Sequence, residues 1–290
     1  MCESSAYSCI TTNDGSITFY SEEFQQAFHN FSGARQEALE KYVLPTNVLA
    51  LAMEQQELHI VDVCFGLGYN SAVALERIWQ INPNCRVCLH ALERSPDVPQ
   101  QAYQQDLWND WAFKSMWKQW LDDGEIESDR FTAFIHWGDA RLTLQTLPER
   151  WADAVFYDPF APPSCPHLWT VEMFGQVARC MKQQGRLATY SCAVAVRSGM
   201  LEAGLNIGST PPVGRPGPGT VASLSSNQLP PLSQRETEHL KTRAAVPYRD
   251  PSLSASIQDV IEHRNQEQQQ SQQEATSKWK RRWKARASIL

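Results

Sequence analysis

The sequence has 290 residues, of which 42% are hydrophobic, 10% aromatic and 20% charged. This composition is typical of a globular protein with a core of ordinary size, and it excludes a chain that is disordered throughout. No apolar run approaches the roughly 18 residues of a membrane span. Residues 1–16 show no secretory signal pattern. We therefore expect a cytosolic (cytoplasmic) protein with no membrane contact.

The net charge of −6 is unevenly distributed along the chain. Residues 1–234 carry 15 basic and 25 acidic side chains, whereas residues 235–290 carry 11 basic and 7 acidic side chains. Six of these basic residues fall between positions 278 and 286, where Trp279 and Trp283 lie among them. An acidic body with a basic tail is compatible with a nucleic-acid partner. A terminal helix that packs on the body is the alternative interpretation of the tail.

Eight cysteines are present, and Cys85 and Cys88 form a C-x-x-C pair. The size of the chain and the missing signal pattern argue against a disulfide framework. No second cysteine pair or histidine cluster follows at zinc-ligand spacing, and the surrounding run is typical of a strand. We interpret the cysteines as free thiols and expect no metal site, with a metal or redox role for the pair as the alternative.

Short apolar segments alternate with helical patterns from residue 58 onward. A strand is expected at residues 17–20 and a helix at 33–51, which Pro45 kinks or splits. The predicted strands that follow are 58–64, 86–93, 131–137, 152–158 and 186–191, and the predicted helices are 70–81, 99–121, 140–147, 170–182 and 193–203. This alternation indicates an α/β fold of the Rossmann-like class, with a doubly wound, mostly parallel sheet and helices on both faces.

The alternation of strands and helices ends after residue 203, and the composition of the chain changes. Residues 211–219 are rich in proline and glycine and predict a loop that borders a site. Residues 221–231 are polar and turn-rich, and residues 257–277 are Gln-rich with a helical pattern. We therefore divide the chain into an N-terminal hairpin and helical cap (1–56), a central domain (57–222) and a polar, Gln-rich and basic C-terminal extension (223–290).

The first candidate site is the glycine turn that follows the first core strand. Such a turn lets backbone N–H groups approach a ligand closely beside the positive end of a helix. A dinucleotide-binding turn has the pattern G-x-G-x-x-G. Gly66 and Gly68 match its first two glycines, but Ser71 occupies the position of the third. Asp62, just before the turn, instead matches the pattern of S-adenosylmethionine-dependent methyltransferases with a Rossmann-like fold. A plain tight turn is the alternative.

Two further carboxylates follow successive predicted strands. Glu93 ends the next strand, where a carboxylate accepts both hydroxyls of an adenosine ribose in nucleotide-binding sheets. Asp139 follows the strand at 131–137 and either caps the next helix or binds an adenine amine. Each carboxylate alone is better explained as a cap or a solvated residue. Three of them at neighbouring strand ends, beside the glycine turn, predict a nucleotide-like cofactor.

Asp158 begins the run D-P-F-A-P-P at the end of the fourth core strand. This position places a carboxylate where a methyl acceptor would lie, and the prolines restrict the loop. Phe160 could press on a planar base. Methyl transfer needs alignment more than acid–base catalysis, but an amine acceptor must be neutral to attack, and Asp158 could take its proton. A proline-rich turn without function is the alternative.

On these motifs the sequence resembles the methyltransferase domain of MnmC, the bifunctional enzyme that completes 5-methylaminomethyl-2-thiouridine at the wobble position of tRNA. The matching runs are 62–70 (DVCFGLGYN), 158–162 (DPFAP), 167–174 (HLWTVEMF) and 185–191 (GRLATYS). The resemblance extends over about residues 14–221. It implies a class I methyltransferase fold, S-adenosyl-L-methionine as cofactor and tRNA as partner.

The resemblance also implies roles for individual residues. Contacts to the methionine and ribose parts of the cofactor are implied at Asp62, Gly66, Gly68 and Glu93, adenine contacts at Asp139, and a substrate-side role at Asp158. The adjacent Phe65 and Ala140 complete the expected cofactor set, and Phe160 completes the expected catalytic set.

The sequence departs from the family pattern at several points. Cys64 and Pro159 stand where the family has glycines, residues 214–219 replace a glycine- and lysine-containing loop, and no segment resembles the flavin-dependent oxidase half. We therefore predict a stand-alone N-methyltransferase that acts on the aminomethyl group of a modified wobble uridine. Three alternatives stay open: a methyltransferase with another acceptor, a nicotinamide-dependent oxidoreductase, and a non-catalytic binding protein on a methyltransferase fold.

Overall fold

The computed structural model describes residues 7–108 and 111–287, with side chains up to residue 285. The strands are β1 (Tyr7–Thr11), β2 (Ile17–Ser21), β3 (Gln26–Ala27), β4 (Glu57–Val63), β5 (Arg86–Glu93), β6 (Glu125–Glu127), β7 (Phe131–Trp137), β8 (Ala152–Tyr157), β9 (Met181–Thr189), β10 (Asn206–Thr210) and β11 (Gly219–Ser223). The α-helices are α1 (Ala34–Glu37), α2 (Val48–Glu54), α3 (Tyr69–Ile81), α4 (Asp97–Gln104), α5 (Lys114–Asp123), α6 (Ala140–Thr143), α7 (Val171–Cys180), α8 (Val194–Glu202), α9 (Gln234–His239), α10 (Ile257–Gln270) and α11 (Thr276–Ala287).

The main sheet has eight strands in the order β10-β11-β9-β8-β4-β5-β7-β6. The five strands from β9 to β7 run parallel, and the outer strands β10, β11 and β6 each join through an antiparallel pairing. The central strands are rich in Val, Ile, Leu and Phe and mostly buried, as expected where helices cover a parallel sheet. The predicted α/β, doubly wound, mostly parallel architecture is confirmed.

A separate antiparallel sheet, β1-β2-β3, lies over the carboxyl ends of the central strands. The hydroxyl of Tyr69 in α3 donates to the carbonyl of Ile17 at 2.8 Å, and the amide of Gln26 donates to Ser164 Oγ at 2.7 Å. These contacts tie the N-terminal sheet to the glycine turn on one side and to the loop after β8 on the other. The N-terminal sheet therefore forms one wall of the region where the strand-end residues meet.

Two of the predicted helices are broken in the structure. The helix expected at 33–51 is divided into α1, a π-helical turn (Ala38–Val43) and α2, with Pro45 between the last two. The single helix expected at 99–121 is wrong, because α4 ends at Gln104 and α5 begins at Lys114. Asp106 has a φ of 57°, and Trp108 Nε1 donates to the carbonyl of Leu67 at 2.9 Å, so a tertiary contact fixes this connection.

Three strands of the main sheet were absent from the sequence-based prediction, as were β1 and β3 of the N-terminal sheet. β6 has only three residues, while β10 and β11 form an antiparallel hairpin rich in Gly, Ser and Thr. Residues 221–231, expected to be turn-rich, therefore begin within a strand. The intervening residues 211–218 are the predicted loop. These segments lack the apolar runs that mark the central strands, so their pairing partners decide their conformation.

The C-terminal extension folds against the body of the protein. Trp279 of α11 is buried and stacks on His239 of α9, with ring centroids 4.1 Å apart and planes inclined by 4°. Trp283 Nε1 donates to Glu238 at 2.9 Å. The tryptophans therefore anchor α11, as the packed-helix interpretation expected. The boundaries at residues 56/57 and 222/223 stay predictions.

The C-x-x-C pair does not form a bridge. Cys85 is a buried free thiol just before β5, and Cys88 is a half-buried free thiol within that strand. Among the described residues, no helix has the length and apolarity needed to cross a membrane.

Candidate active site

A cavity of about 250 Å³ lies at the carboxyl ends of the central parallel strands, beneath the N-terminal sheet. Seven of the nine predicted site residues line it, namely Phe65, Gly66, Glu93, Asp139, Ala140, Asp158 and Phe160. The structure therefore brings together residues that are up to 95 positions apart in the sequence. The other two predicted residues, Asp62 and Gly68, do not line the cavity.

The turn after β4 contains three residues with left-handed backbone. Cys64, Gly66 and Gly68 have φ angles of 67°, 55° and 77°. A Cβ atom at Gly68 would lie 2.8 Å from Phe65 and 2.9 Å from Trp117, so packing as well as conformation requires glycine there. Cys64 adopts a conformation that costs a residue with a side chain about 1 kcal/mol or more. This strain explains why a glycine would be the easier choice at position 64.

Glu93 is bound to the turn by its side chain. One carboxylate oxygen accepts the backbone N–H of Gly66 at 2.8 Å, and the other accepts the N–H of Arg94 at 2.7 Å. Burial raises the pKa of Glu93, and these backbone hydrogen bonds oppose the rise. The carboxylate is thereby held in one orientation at the cavity wall.

Asp62 lies beneath the turn and is fully buried. Oδ2 accepts the hydroxyl of Ser71 at 2.6 Å, while Oδ1 has no hydrogen-bond partner among the described residues. Burial raises the pKa of Asp62 to about 7, and the nearby Glu93 adds to this effect. Asp62 therefore supports the start of α3 from below, and its predicted cofactor contact stays a prediction.

The N-cap predicted as one alternative for Asp139 is present, and the adenine contact stays a prediction. The Asp139 carboxylate accepts the N–H of Arg141 at 2.9 Å and thereby caps α6, and it also lines the cavity. Arg141 Nη2 lies 2.7 Å from Asp139 Oδ2. Burial opposes ionisation of Asp139, but the hydrogen bonds and charge of Arg141 outweigh it and lower the pKa.

Asp158 directly follows β8 and lines the same cavity as Glu93. Oδ1 accepts the hydroxyl of Tyr42, and Oδ2 accepts the amide of Asn70 at 3.0 Å. Burial, together with the negative charge of Glu37, raises the pKa of Asp158 well above its ordinary value. The side chain is thus a half-buried carboxyl group with fixed orientation and an increased affinity for a proton.

Phe160 belongs to an aromatic group contributed by two parts of the chain. Its ring stacks on Phe24 with centroids 4.2 Å apart and meets the edge of Phe28 at 5.0 Å. The carbonyl of Phe160 accepts Trp169 Nε1 at 2.9 Å. Contacts of the Phe160 side chain and of its backbone carbonyl therefore both fix the loop after β8.

Several cavity residues were not identified from the sequence. Glu37 and Asn70 line the cavity, and Tyr42 donates to Asp158 without lining it. All three lie in helical segments whose spacing gives no sign of a site, and only the tertiary structure brings them near Asp158. Arg215 lies in the loop that was predicted to border a site, and its guanidinium is 5.1 Å from the ring centre of Tyr190. The glycine- and proline-rich composition of that loop was the available signal.

The cavity contains polar atoms that a ligand could satisfy. Asn70 Oδ1 and His167 Nδ1 are buried and have no hydrogen-bond partner among the described residues, and both residues line the cavity. Buried polar atoms are nearly always hydrogen-bonded, so these two point to a polar molecule in this space. Together with the carboxylates at the ends of β5 and β8, they fit a cofactor that carries both charge and hydroxyl groups.

A family model described as S-adenosyl-L-methionine-dependent methyltransferase matches residues 99–225 of the chain. With this match, the fold and the strand-end cavity define a class I methyltransferase that uses S-adenosylmethionine. The predicted cofactor and enzyme class are confirmed, and the nicotinamide alternative is not supported.

The whole fold is shared with a solved structure. The crystal structure of MnmC2 from Aquifex aeolicus superposes with a TM-score of 0.81 at 30% sequence identity, covering 93% of this chain and 87% of the other. The chain belongs to the MnmC2 family of methyltransferases, as the sequence motifs predicted.

Two groups of relatives differ in length. A protein of uncharacterized function from Methanocaldococcus jannaschii is 26% identical, with 89% of this chain and 72% of the relative covered. The tRNA 5-methylaminomethyl-2-thiouridine biosynthesis bifunctional protein MnmC from Chromohalobacter salexigens is 28% identical, with 72% of this chain and 30% of the relative covered. The chain thus spans about a third of the length of the bifunctional relatives.

Proposed function

We propose that this methyltransferase transfers a methyl group to the nitrogen of an aminomethyl group on a modified wobble uridine in tRNA. The names of the bifunctional relatives point to this nucleoside. The observation that carries the proposal is the carboxylate of Asp158, which faces the cavity and is held by Tyr42 and Asn70. A protonated amine must lose a proton before it can attack, and a carboxylate held at the cavity wall can accept that proton.

The cofactor would occupy the side of the cavity nearest to β4, β5 and β7. Glu93 would accept ribose hydroxyls, Asp139 and Ala140 would contact the adenine, and the turn at Phe65 and Gly66 would lie against the methionine part. When bound, S-adenosylmethionine supplies an electrophilic methyl group on a positively charged sulfur. Asp62 and Gly68 would act by maintaining the shape of the turn.

The acceptor would approach from the opposite side of the cavity. An aminomethyl group is mostly protonated at neutral pH, so one proton must leave before the nitrogen can attack. The Asp158 carboxylate would accept this proton, and its raised pKa brings the proton affinities of acid and amine closer together. Phe160 would restrict the position of the base, although Phe24 already covers one face of its ring.

The basic helix α11 would assist by contacting phosphates of the RNA. Its packed side carries the two tryptophans, while Lys278, Lys280 and Arg281 are exposed on the remaining surface. Lysine and arginine side chains that displace counterions from RNA phosphates make affinity strongly dependent on salt. Replacing Lys280 and Arg281 by Gln should weaken tRNA binding and reduce the slope of log affinity against log salt by about one to two. The matched control is the double variant Lys118→Gln, Arg150→Gln.

The decisive experiment is incubation with methyl-labelled S-adenosylmethionine and bulk tRNA that lacks the terminal methyl group, followed by nucleoside analysis. We expect label in 5-methylaminomethyluridine or its 2-thio form, and labelling that is about 100-fold slower or more with the Asp158→Asn variant. Cofactor binding by calorimetry without label in any tRNA nucleoside would reject the tRNA assignment. Small amines and proteins would then be tested as acceptors.

A further inference from the structure

The C-terminal extension reaches into the wall of the cofactor cavity. Asp250, which lies between α9 and α10, is fully buried. Arg141 Nη1 donates to Asp250 Oδ2 at 3.0 Å and to the carbonyl of Ala255 at 2.9 Å. A few residues later, Ile257 at the start of α10 lines the cavity itself. A segment outside the expected methyltransferase domain is therefore part of the site.

The other side of the Arg141 guanidinium is bound to Asp139. Arg141 Nε lies 3.0 Å and Nη2 lies 2.7 Å from Asp139 Oδ2, so the guanidinium contacts this carboxylate through two nitrogens. A planar guanidinium that holds two carboxylates at once fixes the orientation of both. The orientation of the Asp139 side chain therefore depends on the position of the Arg141 guanidinium, which Asp250 holds. Because Asp139 lines the cavity, this orientation matters for a bound ligand.

Asp250 is itself rigidly held by its own segment. Its Oδ1 accepts the hydroxyl of Ser252 at 2.9 Å and the backbone N–H groups of Ser254 and Ala255 at 3.2 and 3.1 Å. Its own N–H donates to the carboxylate of Glu172 in α7 at 2.7 Å. The carboxylate is thus a fixed point to which the long side chain of Arg141 is anchored.

We propose that Asp250 is a positioning residue that acts through Arg141 to hold Asp139 in the orientation required for binding the adenine of S-adenosylmethionine. The inference rests on the proposed contact between Asp139 and the adenine. The C-terminal extension would thus have a function in cofactor binding. This function is independent of the proposed RNA binding by α11.

The test is calorimetric titration of the full-length chain with S-adenosylmethionine, without any acceptor. We expect Asp250→Asn to weaken cofactor affinity about fivefold to tenfold, because Arg141 loses its charged anchor. In an Asp139→Asn background the same change should have an effect of less than twofold, since the neutral amide no longer forms the ion pair through which Arg141 orients residue 139. Equal losses in both backgrounds would overturn the proposal, because a general structural effect is additive.

Two further variants separate this effect from a loosened extension. Asp259→Ala removes the carboxylate half of the capping box at the start of α10 without touching Arg141, and it should leave cofactor affinity unchanged. Arg141→Lys keeps the charge but loses the planar fork that contacts Asp139 through two nitrogens while it reaches Asp250. It should weaken cofactor affinity about fivefold to tenfold, and this result does not depend on whether Asp250→Asn folds. Unchanged affinity in Arg141→Lys would overturn the proposal. These titrations contain no acceptor, so their outcome does not depend on whether the enzyme methylates tRNA. Unchanged cofactor affinity in the single variant Asp139→Asn would reject the proposed contact between Asp139 and the adenine.

Discussion

The backbone N–H of Gly66 donates a hydrogen bond of 2.8 Å to the carboxylate of Glu93. This bond joins the turn after β4 to the end of β5, so the two parts of the predicted cofactor site are held together before a cofactor enters. A carboxylate oxygen has two lone pairs, so it can keep the backbone N–H and still accept a ribose hydroxyl.

Glu93→Gln should weaken S-adenosylmethionine binding by about 10-fold to 100-fold, which corresponds to the loss of a charged hydrogen-bond acceptor. Calorimetric titration measures this change. The control is Glu127→Gln, a change at an exposed residue of β6. A Glu93→Gln variant with the affinity of the unmodified protein would show that the carboxylate does not contact the cofactor.

Asp158→Asn should lower the rate of methyl transfer by about 100-fold or more while cofactor affinity changes by less than about twofold. The asparagine has the same shape but cannot take a proton from the amine. Single-turnover rates with saturating cofactor and calorimetry measure the two quantities separately. Transfer at the unmodified rate would contradict the assigned role.

Tyr42→Phe should shift the pH dependence of kcat/KM. The Tyr42 hydroxyl donates to Asp158 and lowers the pKa of this carboxyl group, opposing the effect of burial. Without this donor the pKa rises further, so the acidic limb of the profile should move to higher pH by about one unit. Tyr20→Phe, at a tyrosine outside the cavity, is the matched control. An unshifted limb, or a shift to lower pH, would be inconsistent with this coupling.

Cys64 should tolerate glycine but not a β-branched residue. Its φ of 67° lies in the left-handed region, where a side chain costs about 1 kcal/mol or more and glycine costs little. We expect Cys64→Gly to change the free energy of unfolding by less than about 1 kcal/mol, because relief of strain offsets lost packing and added chain entropy. Cys64→Val should destabilise by about 2 kcal/mol or more. Urea unfolding measures the free energy of unfolding of both variants. Similar losses in Cys64→Gly and Cys64→Val would show that the backbone at position 64 is not strained.

His29 should make the protein less stable in mild acid. It is buried, its Nδ1 lies 2.9 Å from Thr18 Oγ1, and burial lowers its pKa from 6.5 to about 4. Below pH 6.5 the unfolded chain binds a proton that the folded chain excludes until about pH 4, so stability falls as the pH falls through this range.

Between pH 7 and pH 5 this residue accounts for a loss of about 2 kcal/mol in the free energy of unfolding. Urea unfolding at the two pH values should therefore show a smaller loss for His29→Gln than for the unmodified protein. His263→Gln, at an exposed histidine, should retain the full loss. Equal losses in His29→Gln and the unmodified protein would exclude His29 as the source.

Local sequence patterns were sufficient for the central fold. The strand predicted at 86–93 and the strand predicted at 131–137 have the observed bounds, because alternate residues along each strand are apolar and are buried against the core. The helix predicted at 99–121 was wrong because helical spacing continues across Asp106, where contacts with the glycine turn break the backbone. The hairpin of β10 and β11 was missed because its small polar residues form strands only beside β9.

The candidate site also contains residues that the sequence predicted and residues that only the structure revealed. Glycine turns and acidic residues at strand ends are local signals, since the carboxyl ends of parallel strands must meet at one edge of the sheet. Sequence alone therefore determined the class of fold, the cofactor and the positions of Glu93 and Asp158. Only the tertiary structure decided that Tyr42 and Asn70 hold Asp158, and that Asp250 anchors Arg141 from 109 residues away. The physical reason is that these contacts depend on how separate elements pack, which no local pattern of residues encodes.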